Sequence, residues 1–285
     1  MSGIKIREVT KTYKDTKALD HVSVQFEEGK IYALIGRNGA GKSTLLNIIS
    51  NRIFSDEGEV FVEEMSTRKN DQVQQKIYLM SEQTLYPTGM KVRQAFRWSK
   101  EFYPEFDMSY AMELSERFGL STKKKIKALS TGYKSIFKLI VALSVNVPYL
   151  FLDEPVLGLD ANHREMFYRI LLEKYIADPF TIVISTHLIE EIASVIEHVV
   201  ILKEGKVIED CATEELLAGG YRISGKQEAV DTWIQGEEVI GTEMLGTMKT
   251  AYIIGSSKGK WQDVPEELDV AKLDLQKMFI QMTNR

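Results

Sequence analysis

Eight consecutive residues, Gly36, Arg37, Asn38, Gly39, Ala40, Gly41, Lys42 and Ser43, constrain this chain more than any other stretch. They follow Ile31-Tyr-Ala-Leu-Ile35, a continuous apolar run of the kind that forms a parallel strand buried on both faces. A helical pattern begins at Lys42 and runs to about Ile53. The spacing G-x-x-x-x-G-K-[ST] between a strand and a helix makes a loop whose backbone N–H groups point inward. Glycine leaves no Cβ between those groups and a phosphate, and the helix start adds the positive end of its dipole. Lys42 is expected to reach the β- and γ-phosphates of a nucleotide and the Ser43 hydroxyl to ligate Mg2+, with Thr44 the last residue of the contact. The bland alternative is a structural glycine-rich turn, which the full pattern in this context disfavours.

Similar apolar runs recur at Tyr149–Leu152 and Thr181–Ser185, each followed by polar residues and a helical pattern. Strands alternating with helices imply a wound α/β core with a mostly parallel sheet. Upstream, Ile4, Ile6 and Val9 form one short strand, and Val22, Val24 and Phe26 alternate with polar neighbours at strand period. The section from about Leu85 to Leu129 reads as helical, punctuated by Pro87, Gly89, Pro104 and Gly119, and His198–Leu202 with Lys206–Asp210 reads as a hairpin about Glu204-Gly205. Past Gly219-Gly220 the pattern changes to a strand (Tyr221–Ser224), a helix (Gln227–Ile234), three strands (Val239–Leu245, Thr250–Ile254 and Leu268–Leu273) and a terminal helix. We therefore expect a main domain over residues 1–215 and a small C-terminal α+β appendage over 216–285.

Two carboxylates, Asp153 and Glu154, stand where the run Leu150-Phe-Leu ends. Ligands of open α/β sheets bind outside the carboxyl ends of strands. Asp153 can there hold the water shell of Mg2+, and Glu154 can polarise a water that attacks the γ-phosphate. His187 ends the other apolar strand and can face the same crevice. A lone histidine is more often structural, but this placement favours a phosphate sensor. Leu129-Ser-Thr-Gly132 opens a helix whose Ile136, Leu139, Ile140 and Leu143 share one face. Ser130 and Gly132 form a second anion-binding helix start; taken alone, Ser130 reads as an ordinary N-cap.

Together these motifs resemble the ATP-binding cassette (ABC) family in order and spacing. They correspond to Walker A (Gly36–Ser43), signature (Leu129–Gly132), Walker B (Leu150–Glu154), D-loop (Gly158-Leu-Asp160) and switch histidine (His187). The resemblance covers about residues 1–215. It implies a P-loop NTPase with a mostly parallel sheet core, an antiparallel β subdomain and a helical subdomain at about 85–145. It further implies ATP and Mg2+ as cofactors, Tyr13 stacked on adenine and Asp160 at the nucleotide. Two subunits, identical or paralogous, would pair head to tail, Ser130 and Gly132 of one covering ATP held by the other. Thr131 and Tyr133 depart from the usual Leu-Ser-Gly-Gly-Gln signature, and Leu157 replaces the usual D-loop serine. The Q-loop glutamine position falls on Ser81, with Glu82 and Gln83 just after; Gln83 is taken as the metal-side residue. Within the family the chain looks like bacterial antibiotic and peptide exporter ATPases, including the YtrB-like and phenol-soluble-modulin exporter groups.

Composition bounds the partners. The chain has 41 acidic against 36 basic residues, a net charge of −5, which argues against a nucleic-acid partner. Met1–Glu8 lacks a signal-peptide pattern, and the longest apolar stretches fall short of the ~20 residues that span a bilayer. The lone Cys211 fits a reducing compartment and reads as a small buried residue. The expectation is a cytoplasmic ATPase, peripheral on the inner face of the cell membrane, driving a separate transmembrane permease that exports peptides, antibiotics or other amphipathic compounds. Its contact surface is expected around residues 84–105, where Tyr86, Met90, Phe96, Trp98, Phe102 and Tyr103 cluster; local core packing is an equal account of those side chains. Rivals are a non-transport ABC ATPase acting on ribosomes or nucleic acid and a small-molecule kinase. The first should carry two cassettes or long heptads, and the second would leave Leu129–Gly132 and His187 unexplained.

Overall fold

The computed structural model describes residues 3–255 and 264–284. The chain opens with β1 (Gly3–Tyr13), β2 (Thr16–Glu27) and β3 (Ile31–Gly36), then α1 (Lys42–Ile49). Next come β4 (Glu57–Val62), β5 (Met65–Ser66), α2 (Asp71–Gln74) and β6 (Ile77–Met80). A helical layer holds α3 (Val92–Phe102), α4 (Met108–Arg117) and α5 (Thr131–Ser144). The chain returns through β7 (Tyr149–Asp153), α6 (Ala161–Ala177), β8 (Thr181–Ser185) and α7 (Ile189–Ile192). It then forms β9 (His198–Lys203), β10 (Lys206–Ala212) and α8 (Thr213–Gly219). The last part is β11 (Gly220–Lys226), α9 (Gln227–Trp233), β12 (Glu238–Leu245), β13 (Met248–Ile254), β14 (Asp269–Lys272) and α10 (Leu275–Thr283).

The central sheet runs β10-β9-β3-β8-β7-β6, parallel except for the β9–β10 hairpin. This is the α/β architecture expected, with a second, antiparallel sheet of order β2-β1-β4-β5. The unbroken apolar run of β3 has a direct cause. Ile31, Ala33 and Ile35 face the core that contains Ile136, Leu139, Ile140 and Leu143 of α5, while Tyr32 and Leu34 face the core formed with α1 and the antiparallel sheet. There the Phe26 ring meets Tyr32 edge-on at 5.0 Å.

Several expectations need correction. The helix after the phosphate loop ends at Ile49, not near Ile53, because Asn51 turns into the left-handed region at φ 55°. Residues 85–129 are helical with the interruptions their prolines and glycines suggest: α3 and α4 are joined by loops, and, as a feature not foreseen, Lys91 pairs with Lys125 in an isolated bridge. β4, β5 and β6 were not apparent in the sequence. Cys211 is half-buried rather than buried, and burial together with the nearby Glu209 pushes its thiol up to about 12.

The strands β11, β12, β13 and β14 build a third sheet, of order β12-β13-β11-β14, with a small core of its own around Ile223, Val230 and Ile253. Its closing helix α10 packs on β12 of this sheet and also bridges to the main core. Leu275, Met278 and Phe279 belong to the main core, and α10 packs on α7 and β3. Met278 is fully buried, and its sulfur lies where a Cβ on Gly220 would approach to 2.8 Å. Among the described residues no helix is long and apolar enough to cross a membrane.

Met278→Ala should therefore lower the stability of the whole chain by about 2–5 kcal/mol, the usual range for emptying a buried Met site. Denaturant unfolding followed by circular dichroism measures it; an unchanged midpoint would show that α10 is not part of the core.

Candidate functional site

The phosphate loop is held open by its glycines. Gly39 and Gly41 have φ of 83° and 106°, conformations that residues with a Cβ adopt only under strain. A Cβ on Gly41 would stand 2.4 Å from the Ala18 carbonyl oxygen, and one on Gly36 would stand 2.6 Å from that of Leu202. The loop is thus wedged between β2 and β9. Backbone bonds close it, from the Ala40 N–H to the Arg37 carbonyl at 3.0 Å and from the Gly205 N–H to the Ala40 carbonyl at 3.1 Å. Lys42 lies buried beneath the loop, its Nζ donating to the Gly36 carbonyl at 2.6 Å. Burial lowers its pKa, while Glu154 and Asp153 oppose the shift. Arg37, Asn38, Gly39 and Ser43 are exposed on the rim, and Thr44 is half-buried behind it.

The carboxylates arrive as the strand ends dictate. In the parallel register Asp153 of β7 lies beside Ser185 of β8, and the Glu154 N–H donates to the Ser185 carbonyl at 2.7 Å. Glu154 is held at φ 48°, a strained backbone for a glutamate. Its carboxylate is clasped by His187 Nδ1 at 2.9 and 3.0 Å and accepts from Thr186 Oγ1 at 3.2 Å. Asp153 Oδ1 is buried without a hydrogen-bond partner. An orphaned carboxylate oxygen suits Mg2+, which takes only one or two carboxylates and keeps several waters. No cluster of three or more His, Cys, Asp or Glu side chains able to hold a metal occurs among the described residues.

Ser43, Asp153 and Glu154 line one cavity of about 310 Å³ together with Glu82, Thr131 and Lys138. Of the three Q-loop candidates it is Glu82 that faces this cavity; Ser81 accepts from Arg52, and Gln83 is exposed. Ser130 caps α5, accepting from the Tyr133 N–H at 3.3 Å, and is exposed beside Gly132 at the helix start. Asp160 caps α6 by accepting from the His163 N–H at 3.0 Å. Tyr13 stands at the end of the β1–β2 hairpin and is 47% exposed.

The aromatic cluster of residues 84–105 divides. Phe96 is fully buried, Tyr86 packs edge-on to Phe137, and Met90 and Tyr103 lie against the main core. Trp98 and Phe102 are 46% and 66% exposed on the outer side of α3, with Leu85 at 62% nearby in sequence. Three groups at the site were missed in the sequence: Thr186, Arg52 and Lys138. Thr186 stood next to His187 and could have been flagged; the other two belong to no recognisable pattern.

The profile of the ABC transporter family matches residues 19–157. The ABC transporter ATP-binding protein YtrB of Bacillus subtilis (strain 168) is 28% identical over 94% of this chain and 97% of that protein. The bacitracin transport ATP-binding protein BcrA of Bacillus licheniformis is 30% identical over 75% of this chain and 71% of its own length. The methionine import ATP-binding protein MetN of Clostridioides difficile (strain 630) is also 30% identical, over 75% and 70%. Among solved structures, a dimeric post-hydrolysis state of the ATP-binding cassette MJ0796 bound to ADP and Pi superposes with a TM-score of 0.67. It is 26% identical, over 74% of this chain and 98% of that one.

Gly41→Ala should both strain the backbone and push against Ala18. A loss of about 1–3 kcal/mol is expected from the φ alone, together with weakened nucleotide binding. Differential scanning calorimetry with and without ATP tests this; a parental melting temperature would mean that the loop has room the structure does not show.

Proposed function

The chain belongs to the ABC transporter ATP-binding family, and we propose that it is the energising subunit of an exporter of peptides, antibiotics or other amphipathic compounds. The observation that carries the reading is the meeting of Ser43, Asp153 and Glu154 in one cavity below a wedged phosphate loop. The similarity to BcrA, a bacitracin transport protein, supports an antibiotic-type cargo, and the equal identity to MetN keeps import as the second reading.

In this reading the N–H groups of residues 36–44 hold the phosphates of ATP, and Lys42 swings its ammonium from the Gly36 carbonyl to the β/γ-phosphates. Ser43 and Asp153 would hold Mg2+, with a residue of the 81–83 segment beside them. The ion supplies charge neutralisation on the β- and γ-phosphoryl oxygens. Glu154 accepts a proton from the attacking water. His187, already within hydrogen-bond reach of that carboxylate, turns to the γ-phosphate. Tyr13 stacks on the base. Asp160 and the exposed Ser130–Gly132 turn face the second subunit, so ATP is enclosed only when two chains, identical or paralogous, pair head to tail. Their exposure supports Trp98, Phe102 and Leu85 as the apolar contact for a separate transmembrane permease, and in this reading the subunit works at the cytoplasmic face of the membrane.

Glu154→Gln keeps the shape of the site while removing the base, so turnover should fall by about 10²–10⁴-fold with ATP still bound. Sedimentation should show this variant dimerising with ATP and Mg2+ and remaining monomeric with ADP. Adding Ser130→Arg should abolish that dimer; equal dimerisation with and without the arginine removes Ser130 from the composite site. The docking surface has its own check. Trp98→Glu with Phe102→Glu should leave ATP affinity within about twofold, since surface changes away from the site are usually small. Co-purification with the permease should be lost, and a pair that still co-purifies excludes this face.

A further inference from the structure

Two cations hold the segment that leaves β6. From just beyond α1, Arg52 donates to the Ser81 hydroxyl at 2.9 Å and to the Leu79 carbonyl at 2.5 Å. From the middle of α5, Lys138 Nζ donates to the carbonyl oxygens of Ser81 and Glu82, each at 2.9 Å. Among the described residues no carboxylate lies within ion-pair distance of that ammonium; the two carbonyls are its partners. Burial lowers the Lys138 pKa, with the Glu82 carboxylate opposing. Such a half-buried ammonium is expensive to desolvate unless its protons are taken up. The carbonyls of residues 81 and 82 take up two of them, so the backbone there is fixed to α5 by a charged group.

The fixed segment carries Glu82 into the cavity it shares with Ser43 and Asp153. Register explains why. Met80, the last residue of β6, pairs with Leu152, so the chain leaves the sheet beside Asp153. Resting on the ATPase reading above, we propose that Lys138 is a positioning residue: by tying the 81–82 backbone to α5 it places the Glu82 carboxylate at the Mg2+ end of the nucleotide site. The tie also joins that carboxylate to the helix that begins at Ser130, so displacement of α5 moves Glu82 with it.

The test measures binding rather than turnover. Affinity for a non-hydrolysable ATP analogue is determined by calorimetry across a Mg2+ series for the parent, Lys138→Met, Glu82→Gln and the double variant. Lys138→Met should raise the Mg2+ concentration needed for half-maximal tightening by about tenfold, the lower end of what loss of a supporting group does to a metal site. Glu82→Gln should do the same. In the Glu82→Gln background Lys138→Met should add less than about twofold, because coupled groups are not additive. Equal effects of Lys138→Met in both backgrounds would overturn the proposal, since Lys138 would then act otherwise than through Glu82. Glu82 is exposed, so Glu82→Gln folds whatever happens to Lys138→Met, and parental Mg2+ dependence in that variant overturns the proposal by itself. A parent that binds nucleotide with no Mg2+ dependence would instead refute the ATPase reading.

Discussion

The structure turns on a shortage of space around one loop. Residues 36–41 pass between the Ala18 carbonyl of β2 and the Leu202 carbonyl of β9, at distances that exclude a Cβ. That wedge fixes the antiparallel hairpin, the central sheet and α1 relative to one another. In the proposed ATPase reading it also leaves backbone N–H groups, rather than side chains, to form the phosphate cradle. The buried Lys42 completes it, since a desolvated ammonium must find oxygens and the loop carbonyls are at hand.

What could be read from sequence follows from how strongly local pattern dictates position. β3, β7 and β8 are buried on both faces, so their runs carry no polar interruptions and stood out. Asp153, Glu154 and His187 sit at the ends of those strands, and strand ends of a parallel sheet converge. β6 is equally buried but only four residues long, too short to distinguish from part of a helix. The choice among Ser81, Glu82 and Gln83 was invisible for the same reason, since it depends on the β6–β7 register. The aromatic residues of 84–105 divided between core and surface because α3 is amphipathic: Val92, Ala95, Phe96 and Ser99 face inward, leaving Trp98 and Phe102 outside. Lys138 was hidden altogether. A lysine on a helix reads as solvated, and nothing local says that two carbonyls lie across from it.

The C-terminal segment illustrates the limit of dividing a chain by composition. The change of pattern at Gly219-Gly220 coincides with the start of a new sheet. Yet α10 returns to the main core, packing on α7, the helix that follows His187. Asn284, just past its end, accepts from Arg37 of the phosphate loop at 3.2 Å. The last helix therefore touches both segments on which the γ-phosphate reading depends.

Glu154 sits at φ 48°, where asparagine or glycine would rest with less strain. If Glu154 is the base proposed above, the residue that best suits this backbone is not the one that can take a proton from water. Relaxing the turn and keeping the base are then incompatible aims at a single position, so selection for thermal stability and selection for turnover pull it in opposite directions.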